Sequence, residues 1–60
     1  MLRVKIFDEQ HEKDLEEVLN EFLATLNEQD VKDIQFQTSV ATENEEEQVY
    51  CFAAMVVYRQ

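Results

Sequence analysis

The chain is 60 residues long, 45% hydrophobic and 10% aromatic, with 14 acidic and 5 basic side chains giving a formal net charge of -9. That length allows one domain spanning residues 1–60, and the charge repels phosphate backbones and anionic lipid surfaces, so neither nucleic acid nor a membrane is an expected direct partner. With no Gly, no Pro and a single Cys, the chain has no Gly-rich phosphate cradle and no internal disulfide, and its turns fall to Asn, Asp, Ser and Thr.

Leu2, Val4 and Ile6 alternate with Arg3, Lys5 and Phe7, the period-two pattern of a short strand with one apolar face. Asp8 follows as a candidate helix cap. Leu15, Val18, Leu19, Phe22, Leu23 and Leu26 recur at helical spacing, which predicts a helix from about Glu9 to Asn27 with acids crowded into its first half. Asn27 to Asp30 is the expected exit turn, with Asn27 suited to the left-handed conformation that a glycine would otherwise take. Ile34, Phe36, Thr38 and Val40 share one face of a second, half-buried edge strand, whose other face carries Gln35, Gln37, Ser39 and Ala41. Residues 42–48 (TENEEEQ) form a solvated connection. In the last strand Val49, Cys51, Ala53, Met55 and Val57 alternate with Tyr50, Phe52, Ala54, Val56 and Tyr58. Both of its faces are apolar, so it is expected to be buried on both sides.

Strand, helix, strand, strand has one economical arrangement under the right-handed crossover rule: an α+β subunit with strands one and two parallel at the edges, the third antiparallel between them, and the helix on one face. A single helix leaves the other face open. Surface scaling gives roughly 4,100 Å² folded against roughly 10,400 Å² unfolded, so only about 60% is buried on folding. Burial then contributes on the order of 95 kcal/mol against on the order of 90 kcal/mol of ordering entropy. So thin a margin points to a homodimer that covers the open face. Phe7, Tyr50, Phe52, Val56 and Tyr58 are the first candidates for its interface; the alternative is that the helix takes this aromatic side and the Val49, Cys51 and Ala53 side makes the dimer.

The catalytic inventory is short. His11 is the only histidine, and nothing in the spacing brings it to Ser39 as a Ser-His-Asp triad requires. Cys51, in the middle of the most apolar strand, reads as a structural buried thiol. Neither acidic stretch has the glycine of a calcium loop, and Asp8 with His11 is half of a helical metal motif that has no second copy. No catalytic, cofactor or metal residue is therefore expected, nor an enzyme. The lone cysteine, together with the lack of a signal-like or membrane-spanning apolar run, makes the cytoplasm the expected location.

Charge is concentrated: residues 8–33 carry ten acids and two lysines, residues 42–48 four glutamates, and Arg3, Lys5 and Arg59 lie outside both stretches. Asp14, Glu17, Glu21 and Glu28 are expected to form a carboxylate row on the solvent side of the helix. Glu17, Glu21 and Glu28, with Glu43, Glu45, Glu46 and Glu47, are thus the candidate contacts for an unidentified protein partner with a basic surface.

VKIFDEQHEKDLEEVLNEFL near the start and VYCFAAMVVYR near the end, in an acidic chain of this length, resemble the small acidic sporulation proteins of Bacillus. The resemblance covers the whole chain, with the FDEQHEKDLE junction and the YCFAAM strand its most specific portions. It implies a sporulation-associated role, supplies no reaction and transfers no functional residue. Frames of similar size and style in phages imply an alternative: an inhibitor that uses the acidic surface to block a bacterial defence protein, such as one of the Hachiman helicase system.

Overall fold

The computed structural model describes residues 1–42 and 48–60; the Glu43 to Glu47 candidates lie outside the described residues. The first alternating segment forms strand β1, Leu2–Glu9. Helix α1 spans Glu12–Leu23, and a single 3-10 turn, Glu28–Asp30, leads into β2, Val31–Thr42, which is followed by β3, Gln48–Arg59. The sheet order is β1-β3-β2, with β3 antiparallel to both neighbours. The edges therefore run parallel, the α+β arrangement expected from the crossover rule.

The helix is shorter than its periodicity suggests at both ends. Asp8 and Glu9 continue the ladder opposite Ala53 and Phe52, so Asp8 belongs to the strand and is not a cap. His11 takes the N-cap position with extended backbone (φ -126, ψ 134) and no side-chain cap hydrogen bond. At the other end the Thr25 and Leu26 N–H groups donate to the Phe22 and Leu23 carbonyls at 3.0 and 3.1 Å, and Thr25 Oγ1 donates to the Phe22 carbonyl at 2.7 Å. These tight bonds use carbonyls that a left-handed cap would satisfy. Asn27 is accordingly extended (φ -77, ψ 141).

Cross-strand pairs share a face, so the register assigns every paired strand residue to one side of the sheet, Lys32 at the irregularity between Val31 and Asp33 being left out. Phe7, Ala54 and Phe36 lie on the helix side, as do Lys5, Val56 and Ile34, and Tyr58 with Val31. The helix thus takes the aromatic side, the second of the two arrangements open from sequence. Leu15, Ala54, Val56 and Tyr58 are buried there. The Phe22 ring packs at 5.6 Å from Phe7 and, edge-on, at 5.1 Å from Tyr58.

Coverage is limited by element length. Twelve helical residues rise about 18 Å, whereas the twelve residues of β2 and of β3 each extend about 40 Å. The helix rests on β1 and β3 and leaves part of the β2–β3 hairpin bare. The molecule accordingly measures 45 × 18 × 10 Å, with a radius of gyration of 13.8 Å, against about 10 Å for a compact domain of this length.

Candidate functional site

Three surfaces are built from these elements. The first is the sheet face opposite the helix. Leu2, Val4 and Ile6 of β1 project from it at 62%, 54% and 69% exposure, beside the half-buried Ala53, Met55 and Val57 of β3. Gln35, Gln37 and Ser39 of β2 complete it and are exposed. Gln35 Nε2 donates to Asp33 Oδ2 at 3.0 Å on this face. A hollow of about 360 Å³ lies over the small Ala53, with Ile6, Met55, Gln35 and Gln37 in its lining. Cys51 is exposed, not a buried thiol, because it sits on this uncovered face opposite Ser39. For the same reason β3 is covered on one side only, and there only over its Ala54, Val56 and Tyr58 stretch.

The second surface is the bare stretch of the hairpin on the helix side. Phe36 and Phe52 stack at 6.4 Å and 21°, and Tyr50 and Phe52 at 6.5 Å and 12°, forming an aromatic shelf. Phe36, Val40 and Tyr50 are exposed. Where the shelf meets the start of α1, Gln10, His11, Glu12, Lys13, Tyr50 and Phe52 line an open groove of about 690 Å³. The apolar row of β2 was expected to be half-buried; it is exposed here because the helix rests on β1 and β3, so that Ile34 and Phe36 lie bare beside the buried Val56 and Ala54.

The third surface is acidic. Asp14, Glu17 and Glu21 are exposed on α1. Glu28 is exposed too, but it lies in the 3-10 turn, where it lines a separate hollow with Leu23, Leu26 and Ile34. The helical carboxylate row therefore ends at Glu21.

Of the residues first expected at a dimer interface, Val56 is 0% exposed and Tyr58 8%. The helix closes over both, so a second subunit cannot reach them. Phe7 and Phe52 are half-buried and Tyr50 exposed, all on the helix side. Leu2, Val4 and Ile6 take the open position instead. Their signal in the sequence is an unbroken apolar row opposite Arg3 and Lys5. Lys5 points to the helix side, with its ammonium 5.9 Å from the ring centres of both Phe7 and Phe22, a distance at which a cation is attracted to the ring face.

Among the described residues, no group of three or more His, Cys, Asp or Glu side chains could hold a metal ion. No helix there is long and apolar enough to cross a membrane.

The family described as "Sporulation protein Cse60" matches residues 1–60. A relative named "Sporulation protein cse60", from Bacillus subtilis (strain 168), is 45% identical over 60 residues, covering 100% of both chains. No solved structure matches the chain significantly.

Proposed function

The chain belongs to the sporulation protein Cse60 family, and from that premise we propose that it is a sporulation-associated, non-enzymatic protein that acts in the cytoplasm by binding other protein surfaces. The observation that carries this reading is the distribution of apolar side chains. Among the described residues four hydrophobic side chains are buried, whereas eight large ones are exposed: Met1, Leu2, Val4, Ile6, Ile34, Phe36, Val40 and Tyr50. Monomeric proteins seldom leave contiguous apolar patches of this kind in water, and such patches mark contact surfaces. The carboxylates of α1 would steer a basic partner toward the shelf and raise its association rate, an effect that salt weakens.

The test is capture from a lysate of sporulating cells with the immobilised chain, in three forms: wild type, Phe36→Ser, and the double reversal Glu17→Lys with Glu21→Lys. The expected result is a partner whose retention falls with Phe36→Ser and whose association slows by about tenfold or more at low salt on charge reversal. Retention indifferent to both variants, or no retained protein at all, would count against the reading.

A further inference from the structure

We propose that the open sheet face is the contact between two copies of this chain, which pack face to face about a two-fold axis with Leu2, Val4, Ile6, Ala53, Met55 and Val57 at the centre. The proposal rests on the protein-binding reading above and names one partner for it.

The first argument is the orientation of β1. Its apolar row, Leu2, Val4 and Ile6, pairs with Arg59, Val57 and Met55 on the open side, while Arg3 and Lys5 pair with the buried Tyr58 and Val56 on the helix side. For an isolated subunit this arrangement is inverted. A slip of one residue would turn the apolar row to the helix and the charged row to water. The observed register becomes the favourable one when the open face is itself covered.

Area gives the second argument. The subunit exposes 4950 Å², against roughly 4,100 Å² for a folded monomer of this mass. The surplus of about 850 Å² is shared between this face and the bare hairpin, and it is comparable with the roughly 800 Å² that each partner contributes to a standard stable interface.

Charge selects the face. A second copy brings the same net charge of -9, so it can dock closely only where acids are few. On the open face the strand register places only Asp8, Asp33 and Arg59 among the charged residues. The helix side, by contrast, carries α1, whose exposed charges are Glu12, Asp14, Glu16, Glu17 and Glu21 against Lys13 alone. Two copies joined there would bring like charges together, an arrangement that costs affinity.

Shape agrees with two-fold symmetry. Ile6 projects beside the hollow over Ala53, so a knob and a recess lie next to each other on one surface. In a two-fold contact each copy presents the same patch, and the Ile6 of each can enter the recess of the other. The product is two three-stranded sheets packed about 10 Å apart. Both helices, with their carboxylates, face outward.

Sedimentation equilibrium of the wild type, Ile6→Lys and Phe36→Lys over micromolar concentrations tests this. The wild type is expected at twice the subunit mass of 7.2 kDa. Ile6→Lys should weaken self-association by at least about tenfold, and Phe36→Lys should leave it unchanged. Should Ile6→Lys fail to fold, methyl NMR of the wild type with a soluble paramagnetic probe decides: the Leu2, Val4 and Ile6 methyls must be shielded relative to those of Ile34 and Val40. A folded wild-type monomer, dissociation by Phe36→Lys and not by Ile6→Lys, or unshielded β1 methyls overturns the proposal. A folded monomer that still captures a partner overturns the pairing alone, whereas a chain that neither pairs nor captures anything overturns the protein-binding reading as well.

Discussion

Phe22 is the side chain through which the helix grips both β1 and β3. Its ring lies 5.6 Å from Phe7 at an interplanar angle of 55° and 5.1 Å from Tyr58 at 75°, both within the range of favourable tilted aromatic pairs. Phe22→Leu keeps a large apolar side chain while removing the ring. Two such pairs contribute about 0.5–1.5 kcal/mol each beyond area, so the loss should be about 1–3 kcal/mol. Phe22→Ala removes the packed volume as well and should lose about 3 kcal/mol or more. Stability for a chain of this length is expected in the range of about 3–9 kcal/mol, which makes the alanine variant marginal. Urea unfolding followed by circular dichroism, at one fixed protein concentration, measures both. At a slope of about 1 kcal/mol/M the leucine variant shifts the midpoint down by about 1–3 M. A double-mutant cycle with Lys5→Met should return a further coupling of about 0.5–1 kcal/mol from the ammonium over the ring. A leucine variant within about 0.5 kcal/mol of wild type, or one as unstable as the alanine variant, would refute the assignment of this joint to ring geometry.

Two other perturbations follow from the helix start and the charge map. His11 holds the N-cap backbone geometry without a side-chain cap, so His11→Asn, which adds an acceptor without changing the formal charge at neutral pH, should stabilise the fold by about 0.5–1 kcal/mol in the same urea assay; an unchanged or lower midpoint would show that the His11 side chain contributes something a cap does not replace. Fourteen acids against five bases repel one another in the folded state, and raising salt from about 0.01 M to about 0.15 M shortens the screening length from about 30 Å to about 8 Å. The melting temperature should therefore rise by about 4–8 °C for each kcal/mol of repulsion removed, and a melting temperature that fell with added salt would contradict the charge map.

The strand order was legible because handedness and chain economy leave few topologies for these elements, and the α1 face was legible because Leu15, Val18, Leu19 and Phe22 recur at the helical period. The side of the sheet that α1 covers was not. Both rows of β3 are apolar, and alternation alone carries no preference between Val49, Cys51 and Ala53 on one side and Phe52, Val56 and Tyr58 on the other. The placement and length of the helix were the other hidden quantities. Phe36 and Val40 carry the pattern of a covered row, yet Phe36 is exposed beside the buried Ala54 because the helix rests on β1 and β3, and at Val40 a helix rising about 1.5 Å per residue cannot keep pace with strands advancing about 3.3 Å per residue. The helix boundaries were misjudged for a local reason: Asp8 and Glu9 are plausible first-turn residues by charge, but the ladder with β3 outcompetes an isolated turn of helix for them. Cys51 read as buried because its neighbours are apolar, and only the position of the helix shows that its side of the strand is bare.

The central strand of the sheet is also the last in the sequence, and this governs the order in which the molecule can be assembled. Met1 and Gln60 already exchange backbone hydrogen bonds, with the Met1 amino group donating to the Gln60 carbonyl at 3.1 Å and the Gln60 N–H to the Met1 carbonyl at 2.9 Å. Neither edge strand has a partner until β3 itself has been made. At about 5–20 residues per second, β1 and α1 wait for seconds as an unpaired strand and an isolated helix of marginal length. Early synthesis therefore yields no foldable half, and the sheet forms in one late step in which the newest strand slots between the two oldest. Net charge opposes association of incomplete chains, and residues 8–33, with ten acids against two lysines, carry most of it in the part made before β3.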